Sequence, residues 1–406
     1  MQILEPDYIS KFQCDGTKCS TNCCKRNWLI DIDDATLSKY KHIKPKAEAE
    51  KILKHIKTKT HPFKGKLNQM ILNEKKQCPL LDSDNLCSIQ KTYGADYLSI
   101  TCQTYPRMNF KVSDDFMYRA LSLTCSLACK LMLNVPRDSG FASYRMSKSS
   151  AFPITYNVSE YQRSFMLPLL NITNYNILRC QDLTLDERLA VVALFAESAN
   201  VANTLKDLAN ISETFEKEVL KNAKEILAPM KFNPVEFLKE VLSFINTLFT
   251  GIGRDQTSKI YVKFINEVFE ISLLEDDIAS LDFDKLLKIY EEKYLPAKKE
   301  LFEINDLQIE NYAISYLFMT ALPLGREIKN FGKNIVKYLL EYKMSEFIFV
   351  CFYASIKENW HKIAIELAAE DISNCFEHRM DIRLSMDQRI KRIESVAPMI
   401  QLLLDV

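Results

Sequence analysis

The residues best suited to chemistry in this chain are its cysteines. Nine of the twelve lie before residue 130, in CDGTKCSTNCC (Cys14, Cys19, Cys23, Cys24), CPLLDSDNLC (Cys78, Cys87), TCQTYPR (Cys102) and LTCSLAC (Cys125, Cys129). Cys180, Cys351 and Cys375 follow singly. Thiols that serve only as small core hydrophobes scatter through a sequence, so this concentration points to disulfides or to metal. The opening MQILEPDYISKF has neither the basic start nor the apolar run of a secretory signal. No later stretch supplies the roughly 18 apolar residues of a membrane span. The expectation is a cytoplasmic chain with reduced thiols, in which clustered cysteines turn toward metal.

Thiolates are soft ligands for zinc, copper(I) and iron–sulfur clusters. Structural zinc favours two close cysteine pairs per site. Here the spacings are C-x4-C, C-x3-C, an adjacent Cys23–Cys24, then C-x8-C, C-x14-C and C-x22-C. Adjacent cysteines do not readily both bind one small tetrahedral ion, but they suit a larger cluster or two separate roles. None of the histidines (42, 55, 61, 361, 378) lies in a cysteine motif, which disfavours mixed zinc sites. A [4Fe–4S] cluster is therefore the first expectation and zinc the second. Four ligands suffice for either, and spacing does not select them.

Other chemistries lack their residues. There is no phosphate loop, nucleophile elbow or H-E-x-x-H, and Gly251-Ile-Gly253 reads as a turn. Trp28, Trp360 and the phenylalanines read as core, and His378 as a structural histidine. Lysines and arginines balance acidic residues at 53 each, so the whole chain shows no electrostatic footprint for nucleic acid. Locally the balance breaks: Lys41 to Lys76 holds eleven lysines against Glu48, Glu50 and Glu74. That run reads as a solvated helix face, or else as a docking surface for an acidic partner.

The elements that must hold these residues divide unevenly. Asp33 or Asp34 caps a first helix, Pro45 opens a second over KAEAEKILKHIKTK, and residues 77–130 are irregular enough to suggest folding around something other than an apolar core. Pro136, Gly140 and Pro153 mark 131–158 as a connector. Beyond it, helical periodicity dominates. Thr184-Leu-Asp-Glu187 and Ser385-Met-Asp-Gln388 form capping boxes, and Pro234 opens a helix. Further helices run over 257–273, 282–294, 307–321, 326–341 and 359–376, and Pro398 is expected to kink the final helix, the one that follows the second box. Phe347 to Tyr353 reads as buried helix. The expected fold is mainly α: a cysteine-rich, metal-organised module over 1–130, the connector, and a multi-helix domain over 159–406.

The cysteine motifs, with LSITCQTYPR (98–107), LSLTC (121–125) and ENYAISYLF from Glu310 into Leu322-Pro323-Leu, resemble the flagellin lysine N-methylase (FliB) family, whose cysteine module is related to zinc- or iron-chelating domains. The resemblance carries over Cys14, Cys19, Cys23, Cys24, Cys78, Cys87, Cys102 and Cys125 as metal ligands, with Tyr105, Pro106 and Arg107. Ser126 and Leu127 depart from the family's proline and acidic residue, and Cys129 falls outside its pattern. The resemblance implies methyl transfer from S-adenosylmethionine to lysine ε-amines of flagellin. Arg107 and Tyr105 are the expected cofactor-binding residues, since Pro106 restricts the turn that presents the guanidinium. No catalytic base stands out. The alternative is a non-catalytic metal or iron–sulfur protein that senses redox state, transfers electrons or scaffolds an interaction.

Overall fold

The computed structural model describes residues 1–19, 22–25, 30–61, 65–147, 156–159, 163–250, 256–320, 330–378, 390 and 393–405. Trp28, Gly251 to Gly253, Leu322-Pro323-Leu and the expected box at Ser385 to Gln388 fall outside them.

The architecture is mainly helical, as the periodicity requires, with two sheets that the sequence reading did not anticipate. Strands β1 (Gln2–Pro6), β5 (Arg107–Lys111), β6 (Phe116–Leu121), β7 (Phe141–Arg145) and β8 (Tyr156–Asn157) form one sheet in the order β7-β1-β6-β5-β8. β1 runs parallel to β6 and antiparallel to β7, in register Ile3↔Met117 and Ile3↔Tyr144. The expected connector thus contributes both edge strands, β7 and β8. Arg119 on β6 donates to Glu5 Oε2 on β1 at 2.6 Å and to Asn109 Oδ1 on β5 at 2.9 Å, binding three strands through one buried guanidinium.

The second sheet, β2 (Asp31–Ile32), β4 (Gly65–Met70) and β3 (Ile56–His61), is antiparallel. It accompanies α1 (Asp34–Lys41), α2 (Lys46–Leu53), α3 (Ser88–Tyr93) and α4 (Ile100–Thr104). Asp33 caps α1 by accepting from Thr36 N at 2.9 Å, as the sequence indicates. The expected helix after Pro45 is corrected: it ends at Leu53, and IKTKTH becomes β3. Alternating β-branched residues there favour a strand over the helical spacing of the preceding turn.

Buried residues fall into two clusters. A small one comprises Ile30, Ile32, Tyr40, Ile43, Ala49, Ile52, Met70, Cys78, Ile89 and Leu98. The region therefore does have an apolar core of its own, contrary to the expectation for residues 77–130. The large one runs from Leu4, Tyr8 and Phe12 through the five-stranded sheet into the helices.

The helices are α5 (Ser126–Leu133), α6 (Leu167–Leu178), α7 (Leu185–Ser198), α8 (Leu205–Thr214), α9 (Ala223–Leu227), α10 (Pro234–Thr250), α11 (Gln256–Phe269), α12 (Phe283–Ile289), α13 (Leu295–Met319), α14 (Phe331–Ile356) and α15 (Lys362–His378). Thr184 and Glu187 form the expected capping box of α7, and Phe347 to Tyr353 lies inside α14. A last helix, Ala397–Leu403, has Pro398 in its first turn, where a missing N–H costs nothing, so the expected kink is corrected to a start.

Candidate metal and cofactor site

Each cysteine of the octet is held by short-range backbone geometry. Asp15 caps the turn Gly16–Lys18 by accepting from Thr17 N at 3.1 Å, which fixes the segment between Cys14 and Cys19. Asn22 accepts from Cys24 N at 2.8 Å and donates to Asn85 O at 2.6 Å, pinning the Cys23–Lys25 turn to the Cys78–Cys87 loop. Cys78 N donates to Cys24 O at 2.7 Å. Asp82 Oδ1 accepts from Asp84 N and Leu86 N, shaping that loop so that Cys87 reaches the N-cap of α3. Cys102 lies in α4 behind its cap Ser99, and Cys125 is the N-cap of α5.

These supports bring the eight thiols into one neighbourhood. Cys24 meets Cys23 and Cys78 through side-chain hydrogen bonds, which push its thiol far up, while the bond from Cys24 lowers Cys78. Burial raises Cys14, whose neighbours include Cys23 and the Arg107 guanidinium. Cys19 is raised by burial and its Sγ donates to Asp15 O at 3.6 Å, with the Ser126 hydroxyl, Cys14 and Cys23 close by. Cys125 is pushed up to about 12 by burial, beside Cys19 and Cys14. Burial pushes Cys102 up to about 12 as well, with Cys87, Cys23 and Cys78 nearby, although the residue as a whole is exposed. Cys23 thus borders two groups, one with Cys14, Cys19 and Cys125, the other with Cys24, Cys78, Cys87 and Cys102.

Among the described residues, no group of three or more His, Cys, Asp or Glu is gathered closely enough to hold a metal ion. The thiols approach in a chain of pairs rather than a closed cage. The donor chemistry nevertheless suits a soft metal. Burial raises the thiols of Cys14, Cys19, Cys87, Cys102 and Cys125, and a bound cation would let such thiols ionise and converge. Cys129, which the family pattern excludes, lies apart: it is fully buried in the large core with its Sγ toward Glu366 O at 3.5 Å.

Arg107 begins β5. Its Nη2 donates to Phe12 O at 3.0 Å, and the guanidinium lies 5.0 Å from the Phe12 ring centroid. It faces Cys14 with N–H groups left over from that bond. The Tyr105 hydroxyl lies 3.1 Å from Thr124 Oγ1, on the residue before Cys125. Sequence reading missed Ser126 and Phe12 as partners of this site. It also missed Glu370, buried on α15 and electrostatically adjacent to Cys19 and Cys129. Nothing local marks these residues, because they meet the thiols only through tertiary packing.

The ENYAISYLF motif proves to be the joint between sheet and helices. Glu310, fully buried, accepts from Arg188 at 2.8 Å, from Arg137 at 3.2 Å and from Arg179. Asn311 Nδ2 donates to the carbonyls of Leu133 and Val135 at the end of α5. Tyr312 and Tyr316 stack at 5.9 Å behind them.

Residues 171–403, more than half of the chain, match the FliB lysine N-methylase C-terminal domain. The chain belongs to the FliB lysine N-methylase family. Among curated proteins it is similar to the lysine-N-methylases of Salmonella choleraesuis, at 36% identity over 138 residues, and Salmonella typhimurium, at 35%. Each match covers 33% of this chain and 33% of the relative, so the chain spans about a third of the length of those methylases. The flagellar biosynthetic protein FliU of Salmonella muenchen is 35% identical over 138 residues, which are 33% of this chain and 78% of that protein. No solved structure matches. For this FliB family member, no helix among the described residues is long and apolar enough to cross a membrane.

Proposed function

We propose that the chain is a cytoplasmic, S-adenosylmethionine-dependent protein-lysine N-methyltransferase that acts on flagellin. The observation that carries this reading is the family match over residues 171–403. S-adenosylmethionine supplies a methyl group on a sulfonium, which a neutral lysine amine attacks directly: the N–C bond forms as the S–C bond breaks, and the thioether leaves. The chain's own task is to receive the amine without its proton, align it with the methyl group and balance charge. Arg107 would take the donor's carboxylate with its remaining N–H groups, and Tyr105 would help shape that side of the site. Cys14, Cys19, Cys23, Cys24, Cys78, Cys87, Cys102 and Cys125 are the pool from which a [4Fe–4S] cluster, or zinc in its stead, would draw its ligands. Such a group would lend folding energy to the small N-terminal core.

The test is anaerobic purification with iron, zinc and sulfide analysis, then titration with S-adenosylmethionine and mass measurement on flagellin. Saturable donor binding and a methyl gain on flagellin lysines are expected. A protein that binds no S-adenosylmethionine and leaves flagellin unmodified refutes the assignment.

A further inference from the structure

The lysine-rich run is divided between helix faces, where Lys41, Lys46 and Lys51 are exposed, and a ribbon of two strands that carries Lys57, Lys59 and Lys66. β3 and β4 pair from Ile56↔Met70 to His61↔Gly65. β2 covers the far edge of β4 only at Gln69 and Asn68. β3 is the terminal strand of its sheet, so among the described residues no strand pairs with its other edge. Lys57, Thr58 and Lys59 are all exposed, so both faces of the ribbon meet solvent there.

The register tells which backbone groups point outward. Ile71 N donates to His55 O at 2.7 Å, which puts the facing pair His55 and Ile71 in the hydrogen-bonded phase of the ladder, while His55 N turns back to Ile52 O at 3.1 Å. Alternation then directs the N–H and C=O of Lys57 and Lys59 toward β4, and those of Ile56 and Thr58 away from it. Met70 N donating to Ile30 O at 3.0 Å, on the far side of β4, fits the same phase. The free edge therefore offers backbone donors and acceptors at Ile56 and Thr58, flanked by the ammonium groups of Lys57 and Lys59. Lys41, Lys44, Lys46 and Lys54 are exposed on the same small module.

We propose that the outer edge of β3 is a docking strand for an extended, acidic segment of the acceptor protein, which adds to the sheet through Ile56 and Thr58. The inference rests on the reading that the chain modifies a protein. Strand addition supplies affinity through main-chain bonds, and the lysines supply charge complementarity. Lysines on an edge ordinarily repel other strands of like charge. By the same force they admit an acidic one. The edge belongs to the module whose core includes Cys78 and packs Cys24 and Cys87, so a segment held there is tethered next to the thiols. A polypeptide is favoured over nucleic acid because the outward groups are those of a strand awaiting a strand.

The test uses the full chain and a fluorescent poly-glutamate peptide, with single-stranded DNA as competitor. Binding that weakens with salt is expected, falling by about tenfold or more in Lys57→Glu/Lys59→Glu. Thr58→Pro keeps every charge but removes an outward N–H at an edge position that tolerates proline, and it should also weaken the peptide. Circular dichroism checks that both variants fold. With flagellin as acceptor, the double variant should raise KM and leave kcat unchanged. Wild-type peptide affinity in both folded variants overturns the proposal, as does DNA that binds the edge more tightly than the peptide. Peptide binding that responds as expected, with flagellin left unmethylated, supports the docking edge and counts only against the methyltransferase reading.

Discussion

The backbone amide of Cys78 donates to the carbonyl of Cys24 at 2.7 Å, and the thiols of the same two residues meet as well. A main-chain clamp therefore holds two candidate ligands together whether or not anything is bound between them. Replacing Cys24 or Cys78 by serine leaves that clamp intact while removing a soft donor. Both variants should lose iron and sulfide, or zinc, in anaerobically prepared protein, with helix content unchanged. Cys129→Ser should keep the full metal content. Equal metal content in all three would remove the pair from the site.

Arg107→Lys keeps the charge but loses the planar fork that reaches Phe12 O and lies over the Phe12 ring. A stability loss of about 1 kcal/mol is expected from the bond and the ring contact together. If the guanidinium also holds the methyl donor, calorimetric affinity for S-adenosylmethionine should fall further than stability does, with metal content unchanged. Normal donor affinity in the variant would confine Arg107 to its structural contact.

Glu310 neutralises guanidinium groups from three segments at a fully buried position. Glu310→Gln keeps the shape and strands positive charge. Urea unfolding should show a loss of about 3–5 kcal/mol, the usual cost of breaking one side of a buried ion pair. A loss under about 1 kcal/mol would mean that water already screens the joint.

Asp186 sits between Lys298 at 3.1 Å and Lys343 at 3.0 Å, and Glu346 closes the square at 3.0 and 2.6 Å from the same two ammonium groups. Burial raises its pKa, but the lysines outweigh that and bring it down to about 2. The folded protein thus holds this carboxylate ionised where an unfolded aspartate, at about 3.9, would take a proton. Its contribution is present above that value and drains away as pH falls toward 2. Acid titrations of wild type and Asp186→Asn should differ in slope only in that window. Parallel curves would show that the square does not respond as a unit.

The helical half was legible because its signals are local. Thr184 and Glu187 cap α7 from within one turn, and the apolar run from Phe347 to Tyr353 has no flanking glycine or proline to end it as a strand. The sheets were not, because their partners are remote. β1 finds its neighbours at Phe116 and Arg145, and nothing in QILEP names either. Asp82 shaping the Cys87 loop and Asn22 reaching Asn85 are side-chain-to-backbone contacts that spacing does not reveal. The cysteine octet was found by residue type and family pattern. Its division around Cys23 needed coordinates.

β1 lies inside its sheet, between β6 and β7, although it comes first in the chain. During synthesis it therefore waits, unpaired, until residues 116–118 and 141–145 have left the ribosome. The segment from Cys14 to Cys24 hangs from β1 throughout that interval. It reaches its final position only after Cys78, Cys87, Cys102 and Cys125 have all been made. The four earliest thiols therefore meet the later ones only once β1 has entered its sheet.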